Sequence, residues 1–502
     1  MQDILFYDCR RCVAFCTFPI ERLRNSRRVS TPTSTVDARE EVLKQARSRQ
    51  PPPAEAENSS LLATQRSTVA DALFNGRPAH LIGPPIAVYT TVFQSFREVW
   101  ERVEQVADFT PEELQNAVEI CETSTAYYHD ELARLVDVQE LWDEAVHPTF
   151  LRPWLIVYSK EHYAKPVGAA LDEHISGLGF PINGIQELKN GVGEGGSDAF
   201  DQAACDYRAH LTSEAGSRLS QFCCLPSFLV GIQGSYICVG GAIFTERIVV
   251  ERFTDYVFLG THLYSCNNSS LDKGILRVAK LLKAIKTGLN SVSEFWSQIP
   301  KSPPSKSLAQ LLLPCRPHLQ SVMINETRHS ISYIRKIDPS KTVFEAKLST
   351  PEAEPVAMIV KFTAKYSAQA HRCLSELSPP LAPALYYCQR HPEYDCFVII
   401  MAVAPGSSPS SGPLQEQTLR HLRVGLETLH TQNLVFGDLR RPNILVDNGL
   451  VSLIDFDWSG QAGKAHYPVT INLSGEEWAE GVVRGGEIKK EHDLEMLQKL
   501  MV

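Results

Sequence analysis

The sequence predicts an α+β chain: a mixed α/β N-terminal region, then a C-terminal unit that begins in strands and ends in helices. Three observations carry this. Residues 92–146 and 271–299 repeat apolar side chains at helical spacing, on either side of shorter strand-like runs. From Ile331 the pattern changes to three β runs, Ile331–Ile337, Val343–Leu348 and Val356–Phe362, followed by a helical stretch through Leu377. Near the C-terminus, Asn443–Val446 and Val451–Ile454 flank Asp447-Asn448-Gly449, and Asn-Gly between apolar runs is a strong hairpin signal.

A chain of 502 residues has room for about two to four domains and a sizeable core. Its net charge of −9 argues against nonspecific nucleic-acid binding by the chain as a whole. Thirteen cysteines, an odd number scattered along the chain, read as reduced thiols. Met1–Ile4 runs into Asp8 and Arg10-Arg11 rather than a long apolar segment, so no signal peptide is expected. A cytoplasmic location follows, with the nucleus as the alternative. Leu219–Thr245 carries no charge over a length sufficient to cross a bilayer. Pro226, Gly231, Gln233-Gly234-Ser235 and Gly240-Gly241 interrupt it. Phe228–Ile232 and Tyr236–Val239 are therefore read as buried strands around a Gly-Ser turn, not as a membrane span.

Taken in order, residues 1–75 are expected to be disordered: a basic patch (Arg22, Arg24, Arg27, Arg28) leads into Ser/Thr/Pro-rich sequence and Pro51-Pro52-Pro53. Cys9, Cys12 and Cys16 have zinc-like spacing but no fourth ligand nearby. Residues 76–153 form a helical region. Val92, Phe96, Val99, Trp100 and Val103 keep one face, and Thr110-Pro111-Glu112-Glu113 is a helix start. Residues 154–299 read as mixed α/β, with a strand at Leu155–Tyr158, a helix at Val167–Ser176 and a further strand within Ile243–Phe253. Glu173, Glu187 and Asp198 suggest a nuclease-like acid set, and Gly191–Gly196 a phosphate loop. Neither has its required lysine partner after it, so both readings are set aside. Leu271–Ile299 is a long helix whose Lys273, Arg277, Lys280, Lys283 and Lys286 are read as a solvated face rather than an RNA or lipid contact. A Pro/Ser/Lys linker at 300–320 precedes the last unit, 321–502.

The hairpin at 443–454 places chemistry at one mouth. Asp438 and Asn443 precede its first strand, and Asp455 follows its second. Phosphoryl transfer to a hydroxyl needs such a set: a carboxylate to orient the nucleophile, and an amide and a second carboxylate to hold Mg²⁺ against the phosphates.

Gly437-Asp438-Leu439-Arg440-Arg441-Pro442-Asn443, with Asp455-Phe456-Asp457, resembles the kinase catalytic loop H-R-D-L-x-x-x-N followed by D-F-G. Gly437 in place of arginine is the form of aminoglycoside-phosphotransferase-like and fungal-type kinase-like families. The chain is identified as similar to that superfamily over about 320–502, and the resemblance implies a bilobal protein-kinase-like domain behind the N-terminal region. It further implies Asp438 as catalytic base and Arg440 as the residue steadying the transferred phosphate. Asn443 and Asp455 would be metal ligands, and Lys361, at the end of the third small-lobe strand, the clamp on ATP phosphates. Phe397–Met401 then resembles the last small-lobe strand, with adenine meeting backbone near Ala402 and Ala404. Asp493 would brace the catalytic loop.

Four departures accompany the match. The loop at about Asp338–Thr342 has no glycine, and Gln369 stands where relatives carry the acid that pairs with the lysine, Glu376 being the alternative. Phe436 replaces the catalytic-loop histidine, and Asp457 the glycine of D-F-G. Gly437 argues against switching by activation-loop phosphorylation, and an end at Val502 leaves a minimal or truncated large lobe. The resulting expectation is an ATP- and Mg²⁺-dependent phosphotransferase, first of all a protein Ser/Thr kinase. A small-molecule hydroxyl phosphotransferase and a catalytically weak pseudokinase scaffold are the alternatives.

Overall fold

The computed structural model describes residues 35–66, 69–102, 108–175, 177–261, 270–299, 313–338, 341–351, 353–474 and 478–501. The cysteine triplet, the basic patch and the core of the 300–320 linker lie outside these residues. No described helix is long and apolar enough to cross a membrane.

The N-terminal region is built on a seven-stranded mixed sheet. Its strands are β1 (Leu73–Phe74), β4 (Gly168–Leu171), β5 (Ile182–Lys189), β6 (Ser227–Gln233), β7 (Tyr236–Phe244), β8 (Ile248–Arg252) and β9 (Val257–Phe258), with a separate hairpin of β2 (Ile156–Val157) and β3 (Tyr163–Ala164). The order is β1-β8-β7-β6-β5-β4, with β9 on β7; β5 and β6 run parallel, and so do β1 and β8. Every residue of β5 and β6 is buried, as expected of strands covered on both faces. Helix Ala199–Thr212, itself wholly buried, packs over β5 and β6. Gly231 permits this approach, since a Cβ there would sit 2.4 Å from the backbone nitrogen of Phe200.

Helix Ser270–Ser297 packs along Gln94–Glu101 and Pro111–Thr125. Three of its basic side chains are used inside the chain, while Lys273 and Lys286 are exposed. Lys280 Nζ stands 4.7 Å from the Trp100 ring centroid, and Lys283 reaches the Asp108 carbonyl at 2.7 Å and Glu113 at 3.3 Å. Thr110 and Glu113 form the expected capping box.

Three expectations are corrected here. Residues 35–66, expected to be disordered, carry helices Thr35–Ala46, Pro52–Glu55 and Asn58–Arg66. Their few buried groups are satisfied across the fold: Arg39 donates to the carbonyls of Phe244 (2.9 Å) and Ser220 (2.6 Å), and Arg49 pairs with Asp71 at 2.6 Å. A helix in Val167–Ser176 is replaced by β4, because alanines there pair with β5 rather than form a turn of their own. The sheet and core also join 76–153 to 154–299. Phe93 and Phe96 pack on Phe228 with ring centroids 4.9 and 5.7 Å apart, so both stretches share one core.

The C-terminal unit has two lobes. The first is a six-stranded antiparallel sheet of β10 (Ser321–Ile324), β11 (Thr327–Lys336), β12 (Val343–Thr350), β13 (Ala353–Thr363), β14 (Leu385–His391) and β15 (Cys396–Ala402), ordered β10-β11-β12-β13-β15-β14. The three β runs and the Phe397–Met401 strand fall within it; β10, only four residues long, and β14 were not anticipated. The second lobe gathers helices Glu416–Thr431 and Lys490–Lys499 around the hairpin Ile444–Asp447/Leu450–Leu453, with its own apolar cluster.

The sheet lobe does not stand alone. Its buried side chains, among them Phe344, Val360 and Ile400, belong to the same apolar cluster as the N-terminal region. Lys336, at the end of β11, forms an ion pair with Glu246, each side chain 2% exposed. His318 N–H donates to the Val88 carbonyl at 2.7 Å.

Candidate active site

The catalytic-loop stretch is held from below. Asp493, at the start of the last helix, is fully buried and accepts Gly437 N–H at 2.7 Å, Phe436 N–H at 2.9 Å and His430 Nε2 at 3.0 Å. Carboxylate-to-amide bonds of this kind are among the stronger neutral-to-charged contacts in a fold. Gly437 lies at φ +83, where a side chain would be strained and its Cβ would press on Ile488 at 3.0 Å. That is the local reason for glycine before the acid. Phe436 fills apolar space: its ring meets Phe456 edge-on at 5.5 Å, and Phe456 stacks on His371 at 4.5 Å. Burial holds the His371 pKa down to about 4, so the ring is neutral. Its Nε2–H donates to the Pro383 carbonyl at 2.8 Å, and its Nδ1 accepts from Tyr366 at 2.7 Å.

Asp438, 5% exposed, is ion-paired with Arg440 and accepts Asn443 Nδ2 at 2.8 Å. Asn443 also donates to the Asp438 carbonyl at 3.0 Å, so its amide nitrogen is committed to the loop and its oxygen is left to face outward from that contact. The Arg440 guanidinium lies 4.6 Å from the Trp478 ring centroid and 5.8 Å from that of Trp458, and the two indoles stack at 5.7 Å. The hairpin carries Asp455 to the same mouth as Asn443. Ile444 pairs with Leu453, and Ile454 N–H donates to the Asn443 carbonyl at 3.0 Å.

Lys361 ends β13 as expected, 5% exposed, and meets two acids. Its ammonium is 2.6 Å from Asp455 Oδ1 and 2.6 Å from Asp457 Oδ1, while Thr363 Oγ1 donates to Asp457 Oδ2 at 2.9 Å. Neither Gln369 nor Glu376 is a recorded partner. Asp457, which stands where the motif has glycine, is one of the two acids that pair with this lysine. Burial works to lower the Lys361 pKa, but the two carboxylates outweigh it and leave it raised. Burial and the Asp455 charge together push Asp457 up to about 6, against the opposing pull of Lys361. Asp455 moves the other way: Lys361 and Lys341 overcome its burial and hold it well below the usual carboxylate range. Lys341, from the glycine-free loop, reaches Asp455 Oδ2 at 2.9 Å.

At the other end of the cleft, Ala402 closes β15 and its N–H is taken by the Ala384 carbonyl at 2.9 Å. Any purine edge met there would find the Ala402 carbonyl and the backbone of Ala404, not the Ala402 N–H.

The acids of the nuclease-like reading do not converge. Glu173 is exposed, Asp198 caps helix Ala199–Thr212, and no group of three metal-ligating side chains occurs among the described residues. Glu187 is buried, accepting Gln202 Nε2 at 2.8 Å and Val167 N–H at 3.2 Å beside buried Asp206. Burial pushes both acids up, Glu187 to about 7 against the pull of Lys189. A folded pKa above the unfolded value gives stability that is full below about pH 4 and is lost as pH rises through about 7. Urea unfolding of wild type between about pH 5 and pH 8 is therefore expected to lose roughly 1.4 kcal/mol per pH unit for one proton at most. Glu187→Gln should flatten that slope.

No family model matches the chain. It is 33% identical over 127 residues to the mitogen-activated protein kinase kinase kinase ANP1 of Arabidopsis thaliana, a match covering 22% of this chain and 19% of that protein. The chain thus spans about a fifth of the curated relative it matches. Among solved structures it resembles the kinase PK-1 of the Cydia pomonella granulovirus. That match has 17% identity and a TM-score of 0.26, and covers 34% of this chain and 68% of that one. The sequence similarity supports a protein-kinase-like superfamily. The described residues are α+β, with a C-terminal unit made of a six-stranded antiparallel sheet and a helical lobe behind a mixed α/β region.

Proposed function

We propose that residues 321–502 form a phosphotransferase of fungal-type, aminoglycoside-phosphotransferase-like character that uses ATP and Mg²⁺ to phosphorylate a hydroxyl, first of all a protein Ser or Thr. One observation supports the reading: Lys361 contacts Asp455 and Asp457, Asn443 donates to Asp438, and the Ile454 N–H bond to the Asn443 carbonyl ties the two groups together through the hairpin. The donor set fits a hard cation, since Asp455 offers carboxylate oxygens and Asn443 its amide oxygen. When bound, Mg²⁺ supplies neutralisation of phosphate charge. In the mechanism that follows, Asp438 orients the acceptor hydroxyl and takes its proton at Oδ. Arg440, which lies beside the stacked Trp458 and Trp478, turns from Asp438 toward the transferred phosphate. Lys361 holds phosphate oxygens, and the backbone at Ala402 and Ala404 seats the base.

A second reading, a binding module without turnover, is favoured by the saturation of both acids, Asp438 by Arg440 and Asp455 by two lysines. Thermal unfolding of the full chain with and without Mg²⁺ and ATP tests the first. A ligand at a hundred times its Kd adds about 2.7 kcal/mol, and Lys361→Met or Asp455→Asn should abolish the shift. A well-folded wild type that shows no shift at millimolar ATP ends the enzyme reading.

A further inference from the structure

The hairpin between β11 and β12 lies where a glycine-rich loop covers nucleotide phosphates in the kinase arrangement, yet residues 337–342 contain no glycine. A loop with Cβ atoms throughout cannot lay its backbone N–H groups closely on a phosphate as glycines do. What this loop offers instead is an ammonium. Lys341 Nζ sits 2.9 Å from Asp455 Oδ2, on the opposite oxygen from Lys361.

The two lysines differ in freedom. The Lys361 side chain is 7% exposed and shared by two carboxylates, whereas that of Lys341 is 51% exposed with one recorded partner. The backbone beneath Lys341 is tied down. Its own N–H donates to Asp338 at 3.1 Å, Ile337 N–H to the Val343 carbonyl at 2.9 Å, and Phe362 N–H to the Thr342 carbonyl at 2.9 Å. Movement of the ammonium at this position is therefore a swing of the flexible four-carbon stem. Charge sets the direction of that swing. A divalent cation on Asp455 repels both ammoniums, and the polyphosphate it accompanies attracts them.

Resting on the nucleotide reading above, we infer that Lys341 is a phosphate-binding residue: its ammonium leaves Asp455 for the terminal phosphates of a nucleoside triphosphate and replaces the amide cradle of a glycine loop. The partner class is a polyphosphate carried with a divalent cation. The nucleoside moiety lies outside its reach.

Titration calorimetry of the full chain with MgATP and with adenosine tests this. Lys341→Met should weaken MgATP about tenfold or more, as expected for losing a charged hydrogen bond. It should leave adenosine affinity unchanged, and Lys341→Arg should restore most of the MgATP affinity. If Lys341→Met binds MgATP as well as wild type, or more tightly, the inference is overturned, the lysine then serving only to neutralise Asp455. An equal loss for adenosine overturns it too, since that reports a structural role. Should wild type bind neither ligand, the nucleotide reading itself falls and the inference with it.

Discussion

Asp438→Asn is expected to lower phosphoryl transfer by about 10²- to 10⁴-fold, the usual span for a positioned general base. The substitution keeps the shape of a side chain that is 5% exposed and accepts Asn443 at 2.8 Å. It removes the proton acceptor and the ion pair with Arg440. Because Lys361, Asp455 and Asp457 are untouched, MgATP should still raise the unfolding temperature. Transfer rates with a generic Ser/Thr protein acceptor, measured beside that shift, separate chemistry from binding. Turnover equal to wild type would mean that Asp438 is not the base.

The second large effect concerns stability. Lys336→Met should destabilise the full chain by about 3–5 kcal/mol, because it strands a charge at Glu246 where both partners are 2% exposed. One oxygen of Glu246 has no hydrogen-bond partner even in the intact pair. The double change Lys336→Met/Glu246→Leu should recover most of the loss, since it removes both buried charges and fills the space with apolar atoms. Urea unfolding of wild type and the two variants gives the answer directly. Equal stability of Lys336→Met and wild type would show that this ion pair adds nothing net to the joining of the two units. The same interface implies that a fragment starting near residue 315 exposes part of a core shared by Val88, Tyr89, Phe344 and Tyr394.

Local sequence determined the hairpin. Asn448-Gly449 fixes its turn, the period-two pairing of Ile444–Asp447 with Leu450–Leu453 follows from it, and Asn443 and Asp455 then flank one end of it. Those interactions span about fifteen residues, so the string itself encodes them. Four strands of the sheet lobe (β11, β12, β13 and β15), the buried pair Phe228–Ile232 and Tyr236–Val239, and the long helix near 271–299 were legible for the same reason. Periodicity reports which face of an element is covered.

Periodicity does not report what covers it. The partners of Lys361 lie 94 and 96 residues away and that of Lys341 lies 114 away, so the tertiary structure alone decided that Asp457 pairs with Lys361 and that a loop lysine meets Asp455. Residues 35–66 looked too polar to fold. Their helices are held by Arg39 and Arg49, which find carbonyls and a buried acid only after the sheet is assembled. The union of the N-terminal region with the sheet lobe has the same origin: charge complementarity between Glu246 and Lys336 exists only once two distant strand ends are brought together.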